Sequence, residues 1–350
     1  MQPLGPRGTI AALFTLFFSP LSCYSTTMRG TFPAVLAIVA LLSMPGAAFA
    51  FVFEGPFQVK NQFPVFLSLN QPYLEKAATE NSLSVSLSHS SVFVMEDSAN
   101  WNAHLDLEWT ELNIRYKKDL PGLFEIGVDV PVERATAGFM DRPLAWYHRA
   151  FHFGDYGRSS RPRNDFLYDI RKDGVPLIEG DNDRTAFGDV RVTAKRKIVG
   201  GPVALSALAD VELPTGNARV GYGNGSTDLG IALLLDADLG DDLRLFANAG
   251  AVRPGELKAL QILNLRYFFY GGAALEYRLL QKLSVLAQLM AQTSPYPETD
   301  IRQIDNTGIL LVVGGRYYGS SGSYELSLTE DPNTSGAPDF ILNLTYRMRF

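Results

Sequence analysis

The chain has 350 residues, 46% of them hydrophobic and 19% charged, with a single cysteine and a formal net charge of −6. High apolar content with a small net charge excludes a disordered chain, and the acidic balance excludes the bulk basicity of a nucleic-acid binder. No run reaches the roughly 20 apolar residues of a membrane-spanning helix, and Cys23 has no partner for an internal disulfide.

The first fifty residues read as an address. An apolar core from Thr31 to Met44 follows Met28-Arg29 and precedes Ala48-Phe49-Ala50, the basic, apolar, small order of a secretory signal peptide. An earlier apolar run, Ile10 to Phe18, makes this leader long and points to Met28 as the true start. Cys23 opens a lipoprotein alternative, but Pro20-Leu21-Ser22 is a poor lipobox. Cleavage after Ala50 would leave a mature chain without cysteine, suited to an oxidising compartment.

Residues 51–80 contain Pro56, Pro64 and Pro72. Proline is poorly tolerated within a paired strand, so this stretch reads as a plug segment tucked into or beneath the rest of the chain, partly occluding it. A thirteenth strand is the alternative.

From Ser82 onward apolar residues recur with period two, the pattern of half-buried strands. Leu83, Val85 and Leu87 alternate with Ser82, Ser84 and Ser86; Leu229, Ile231, Leu233 and Leu235 oppose Asp228, Asp236 and Asp238. Twelve such segments lie near 82–95, 101–117, 123–132, 187–199, 203–213, 228–239, 243–253, 264–279, 282–293, 308–318, 322–330 and 339–350. Short connections (Gly200-Gly201-Pro202, Gly240-Asp241-Asp242, Leu280-Gln281, Gly319-Ser320-Ser321) alternate with long ones around 136–185, 215–227, 254–263, 294–307 and 331–338. An even number of strands of about ten residues, with short turns on one side and long loops on the other, predicts a transmembrane antiparallel up-and-down β-barrel over 81–350. A soluble β-sandwich would carry an outer face rich in Lys and Glu; here the polar face mixes Ser, Gly, Asn, Asp and Arg.

The residues resemble a proteobacterial family known as domain of unknown function 3187. The resemblance runs from about Gly55 to Phe350 and rests on Asn61-Gln62-Phe63-Pro64, Ser88-His89-Ser90-Ser91, Gly138-Phe139-Met140-Asp141 with His148, Phe187-Gly188-Asp189-Val190-Arg191, Leu213-Pro214-Thr215-Gly216, and Thr329-Glu330-Asp331 to the end. It implies a barrel in the bacterial outer membrane with no established activity. The terminal aromatic, Phe350, resembles the signal read by the outer-membrane barrel-assembly machinery.

Taking the polar face of each strand as inward places many charges in the lumen. The acids are Asp106, Glu108, Glu125, Asp129, Asp189, Asp210, Glu212, Asp236, Asp238, Glu276 and Glu325; the bases are Arg191, Lys195, Lys197, Arg244, Arg266, Arg278, Arg316, Arg347 and Arg349. Either they form a rigidifying ion-pair network or they act as a selectivity filter, and their near balance predicts no ion preference.

Three candidates for chemistry stand against structural readings. His89 and Ser91 share one face of the first strand on the parity of Leu83 to Phe93, the lipid side. That resembles the nucleophile of outer-membrane phospholipase, but the residues expected across the hairpin, Leu105 and Leu107, cannot orient the histidine. A bulge could instead turn His89 inward towards Asp106. His148 and His152, four apart in a stretch able to form a short helix, have metal-ligand spacing but lack the Glu of H-E-x-x-H. Arg149, Arg158, Arg161 and Arg163 in the same long loop could pair with lipopolysaccharide phosphates or simply be solvated. Gly221 to Gly225 reads as a flexible loop tip.

No cofactor is expected, and the expected partners are outer-membrane lipid and lipopolysaccharide. The leading expectation is a non-enzymatic outer-membrane barrel serving as a narrow or gated channel for small solutes. A lipid-modifying hydrolase and a closed, structural or partner-binding barrel are the alternatives.

Overall fold

A computed structural model describes residues 52–67, 70–152, 154 and 157–350. The chain divides into Met1–Ala50 and Phe51–Phe350. The signal-peptide reading falls in the first unit, outside the described residues; the elements described below belong to the second. In chain order the strands are β1 (Ser82–Asp97), β2 (Trp101–Leu120), β3 (Phe124–Thr136), β4 (Leu167–Lys172), β5 (Val175–Glu179), β6 (Arg184–Phe187), β7 (Val190–Val199), β8 (Val203–Leu213), β9 (Asp228–Asp238), β10 (Leu243–Arg253), β11 (Leu257–Lys258), β12 (Ile262–Leu263), β13 (Phe268–Leu280), β14 (Leu283–Gln292), β15 (Gly308–Tyr318), β16 (Ser323–Glu330) and β17 (Phe340–Arg349). The helices are α1 (Pro64–Leu67), α2 (Asp141–Phe151) and α3 (Arg302–Asp305).

Twelve strands make the wall: β1, β2, β3, β7, β8, β9, β10, β13, β14, β15, β16 and β17, each paired antiparallel with the next. β17 pairs back onto β1, from Ser82↔Arg349 to Ser91↔Phe340, and this ladder closes the barrel. A closed sheet leaves no edge, so the backbone needs no water at membrane depth. All twelve segments predicted from periodicity are wall strands, and 203–213, 243–253 and 308–318 match to the residue. Residues 52–80 carry α1 and, among the described residues, no strand.

Parity decides which face meets lipid. Leu87, Ile114, Ile231, Leu233, Leu289, Leu326 and Leu344 point outward and are exposed, while Ser84, Arg115, Lys195, Glu276, Arg316, Glu325 and Thr345 point inward and are buried. Apolar outside and polar inside is the reverse of a soluble domain and the arrangement of strands that span a bilayer. The short turns lie at one end and the long connections at the other. One connection departs from the pattern: residues 98–100, between β1 and β2, are short at the long-connection end. There β4 pairs onto β2 from Trp101 to Asp106, β5 onto β4, and β6 onto β3, so the wall itself is extended instead.

At that same end the polarity of β1 and β2 inverts. Val92, Val94, Trp101, Ala103, Leu105, Leu107 and Trp109 face inward, where they form an apolar cap with Phe63, Val65 and Phe66 from the N-terminal segment and with Tyr168, Tyr222 and Tyr296 from the long connections. Most outward positions become polar, among them His89, Ser91, His104, Asp106 and Glu108, with Phe93 and Met95 the apolar exceptions. Asp106 and Glu108, expected in the lumen, sit on the outer side of the wall, because Ser91 faces Glu108 and Phe93 faces Asp106 in the β1–β2 register. The glycine run 221–225, expected to be a flexible tip, is folded into the cap region with Tyr222 and Asn224 fully buried.

Candidate functional site

The described residues between 52 and 80 run through the barrel as the two arms of a hairpin. The first arm enters at the short-turn end, where the Glu54 carboxylate accepts from Ser323 and its carbonyl accepts from Arg347 at 2.9 Å. Gly55 N–H reaches Glu276 at 3.3 Å, Phe57 N–H donates to Gln288 Oε1 at 3.0 Å, and Gln58 Oε1 accepts from Ser84 and Ser86. Asn61 donates to the Gly336 carbonyl at 2.6 Å, in the connection between β16 and β17. The tip is held by hydroxyls of the cap: Tyr168 donates to the Pro64 carbonyl and Tyr296 to the Val65 carbonyl, each at 3.1 Å. Burying Phe63, Val65 and Phe66 contributes about 1.5–3 kcal/mol per side chain.

The second arm descends along the charged wall. Asn70 N–H donates to Asp228 at 3.0 Å, Tyr73 OH accepts from Asn113 at 2.6 Å, and Ala77 N–H donates to Asp236 at 2.8 Å. Lys195 donates to the carbonyls of Lys76 and Ala78, and Glu80 N–H donates to Glu125 at 2.7 Å, back at the short-turn end. The unpaired backbone of the hairpin thus finds hydrogen-bond partners among the wall side chains, which is what a backbone buried away from water requires.

Charges on the hairpin match charges on the wall. Lys60 pairs with Glu111 at 2.7 Å; Glu75 takes both Arg115 and Lys117, the latter at 3.0 Å; Glu80 lies 3.5 Å from Lys117. Other wall charges pair across the wall: Arg191 with Asp210 at 3.1 Å, Lys195 with Glu125 at 3.0 Å, Arg115 also with Asp129 at 3.0 Å, and Arg316 with Glu276 at 2.6 Å and Glu325 at 3.0 Å. Arg347 joins this last group at 3.4 Å from Glu325. Between the two arms, Glu54, Gln58, Glu75, Arg115, Lys117 and Arg347 line a cavity of only about 10 Å³, at the lower limit for one water molecule.

Of the expected lumen residues, Glu125, Asp129, Arg191, Asp210, Glu212, Arg316 and Arg347 are inward and buried. Arg244 lies at the short-turn mouth, 3.2 Å from Asp238. Arg266 does not belong to this set: it precedes β13 in a long connection, outside the wall strands, and its N–H donates to the Pro295 carbonyl. Asp189, between β6 and β7, accepts from the N–H groups of Gly216 and Asn224, yet burial pushes its carboxyl up to about 6. Sequence reasoning missed Lys60, Glu75, Glu111, Arg115 and Lys117. The signal was present in the alternation Glu111, Asn113, Arg115, Lys117 against Leu112, Ile114, Tyr116.

On the outer side, the described residues between 137 and 166 form a strap clamped to β1 and β2. Glu108 accepts from the N–H groups of Phe139, at 2.8 Å, and Met140. Arg158 bridges Ser91 Oγ at 2.9 Å, Asp141 at 3.1 Å and Asp339 at 2.5 Å; Arg161 pairs with Asp106 at 2.7 Å and Asp165 at 2.6 Å. So Arg158 and Arg161 are engaged within the protein, whereas Arg149 and Arg163 are exposed. His148 is buried and His152 is the exposed, left-handed C-cap of α2, so the two do not share a surface. No group of three or more metal-binding side chains occurs among the described residues.

His89 has an orienting carboxylate after all, because the residues across from the pair are Thr110 and Glu108, not Leu105 and Leu107. Its Nε2 lies 2.8 Å from Glu108 and its Nδ1 2.8 Å from Thr110 Oγ1. Both ring nitrogens are therefore occupied, neither by Ser91, and the Phe139 ring stacks on the imidazole with centroids 5.2 Å apart. No bulge turns His89 inward, since the β1–β2 register is continuous through it.

A family model described as "Protein of unknown function (DUF3187)" matches residues 31–350. No curated protein matches the chain. Among solved structures it is similar to the COG4313 outer membrane channel from Pseudomonas putida F1, with 14% identity over 78% of this chain and 96% of that one and a TM-score of 0.53. Weaker likenesses include the NanC porin (8% identity, 77% and 98% coverage, TM-score 0.44) and the toluene transporter TodX of P. putida (8% identity, 78% and 91% coverage, TM-score 0.38). At these identities the similarity is one of fold.

Proposed function

The chain belongs to the DUF3187 family of proteins of unknown function, and we propose that it is a non-enzymatic barrel of the bacterial outer membrane, a narrow channel for small solutes closed by its own N-terminal hairpin. The carrying observation is that the lumen is filled by a segment that is no part of the wall. Its backbone is held by side chains and its charges by ion pairs, so it can leave without breaking a β-ladder. A barrel of twelve strands lies between the eight-stranded kind that side chains fill and the sixteen-stranded porins with open water channels. An outer-membrane location agrees with the apolar belt, the closed sheet and the fold shared with an outer-membrane channel. The hydrolase alternative is less well supported, because Ser91 is bound by Arg158 rather than by His89.

Planar-bilayer recordings test the channel. The intact protein should pass little steady current, and deletion of residues 51–71 should raise it while heat-modifiable migration persists. Large conductance from the intact protein would refute closure; loss of folding on deletion would make the segment part of the wall.

A further inference from the structure

The strap carries a feature its clamping does not explain. α2 lies against the outer side of the wall with Leu144 and His148 buried beneath it, and Tyr147 packs 6.2 Å from Phe340 on β17. On its opposite side Arg142, Trp146 and Arg149 follow at i, i+4 and i+7, which places them in one stripe. All three are exposed, Trp146 by 65%, and Phe139 just before the helix is 63% exposed. Trp101 and Trp109, the other two tryptophans, are buried in the cap. Among the described residues neither Arg142 nor Arg149 has a carboxylate partner, although Arg158 and Arg161 in the same strap are each paired with two carboxylates. The height of the stripe is set by the β1–β17 register. Phe340 faces Ser91, and the exposed apolar belt begins two and four residue pairs lower, at Leu342 opposite His89 and Leu344 opposite Leu87. The stripe therefore stands where hydrocarbon gives way to headgroups.

We propose that this stripe is a docking surface for the phosphorylated glycolipid of the outer leaflet, an inference that rests on the outer-membrane location proposed for the barrel. Tryptophan prefers the boundary between chains and headgroups, having an apolar ring and one N–H to satisfy. The guanidinium groups on either side, about 10 Å apart along the helix, suit a lipid with two separated phosphates, which arginine binds by bidentate hydrogen bonds. The strap is held from behind by Glu108, Asp106 and Ser91, so its outer side is presented rigidly and little order is lost on binding.

The test uses the full protein in phosphatidylcholine nanodiscs with and without lipopolysaccharide. The difference between wild-type and Trp146→Phe emission isolates Trp146. It should be quenched by brominated acyl chains and shielded from acrylamide. Arg142→Gln/Arg149→Gln should weaken lipopolysaccharide binding roughly tenfold or more, and dephosphorylated lipopolysaccharide should bind wild type as weakly as it binds the double variant. Heat-modifiable migration and single-channel current should not change, which separates this outcome from failure of the barrel reading. Acrylamide-accessible Trp146, equal binding by wild type and double variant, or equal binding to phosphatidylglycerol discs would each overturn the proposal.

Discussion

Gly138 stands against Glu108 so closely that a Cβ built on it would lie 1.8 Å from the carboxyl carbon, and its φ of +70° is one that side chains other than glycine rarely adopt. The carboxylate cannot simply swing away, because it also holds the Phe139 and Met140 N–H groups and His89. Gly138→Ala should therefore release the strap rather than unfold the barrel, at a cost of about 1–3 kcal/mol. Limited proteolysis within 137–166 should accelerate while heat-modifiable migration stays as in wild type. An unchanged cleavage rate would mean that the clamp does not depend on this contact.

Glu75 is the hairpin residue whose loss should matter most for closure. Glu75→Gln leaves Arg115 with Asp129 and Lys117 with Glu80, but removes the carboxylate that both cations share. Breaking a buried ion pair by removing one partner costs about 3–5 kcal/mol; with second partners retained, about 3 kcal/mol is expected, or roughly a hundredfold more frequent opening. Brief conductance events in planar bilayers should become correspondingly more common. Recordings identical to wild type would show that Glu75 does not hold the hairpin.

Asp331, in the connection between β16 and β17, is buried, and burial pushes its carboxyl up to about 7 although Asn333 N–H donates to it at 3.1 Å. A carboxyl raised in the folded state holds a proton that the unfolded chain has already released, so its contribution is present at low pH and is lost as pH rises through about 7. Amide exchange at Asn333 and Ser335 should be slower at pH 5 than at pH 8, after correction for intrinsic rates. Asp331→Asn should flatten that difference. A profile that stays steep in the variant would assign the effect to another group.

Ser91→Ala should leave any activity on phospholipid or lipid A unchanged, because Ser91 Oγ accepts from Arg158 and both nitrogens of His89 are engaged elsewhere. Loss of measured hydrolysis in that variant would reinstate the enzyme reading, and a calcium requirement would strengthen it.

Much of the architecture was legible because period two is a local property. The alternation in 203–213 or 308–318 marks a strand wherever that strand sits, and the alternation of turn lengths then orders the strands into a closed barrel. The prolines at 56, 64 and 72 likewise argued against strand pairing for the N-terminal segment without reference to any neighbour, although a thirteenth strand stayed open. Inside and outside at one end of β1 and β2 could not be read this way. Parity assigns residues to two faces but does not say which face is wet, and the usual rule of polar inward fails where the apolar hairpin tip fills the lumen and a polar strap covers the outer wall. That inversion moved Asp106 and Glu108 outside and turned Trp101, Leu105 and Trp109 inward. The cross-strand register, which put Glu108 opposite Ser91 and Thr110 opposite His89 where Leu105 and Leu107 were expected, is likewise set by a pairing that no single strand encodes. Strand number, barrel class and the existence of a segment outside the wall are thus written locally along the chain. How that segment is held is not, because partners such as Glu75 and Arg115 or Lys60 and Glu111 are far apart in the chain and meet only when the barrel closes around them.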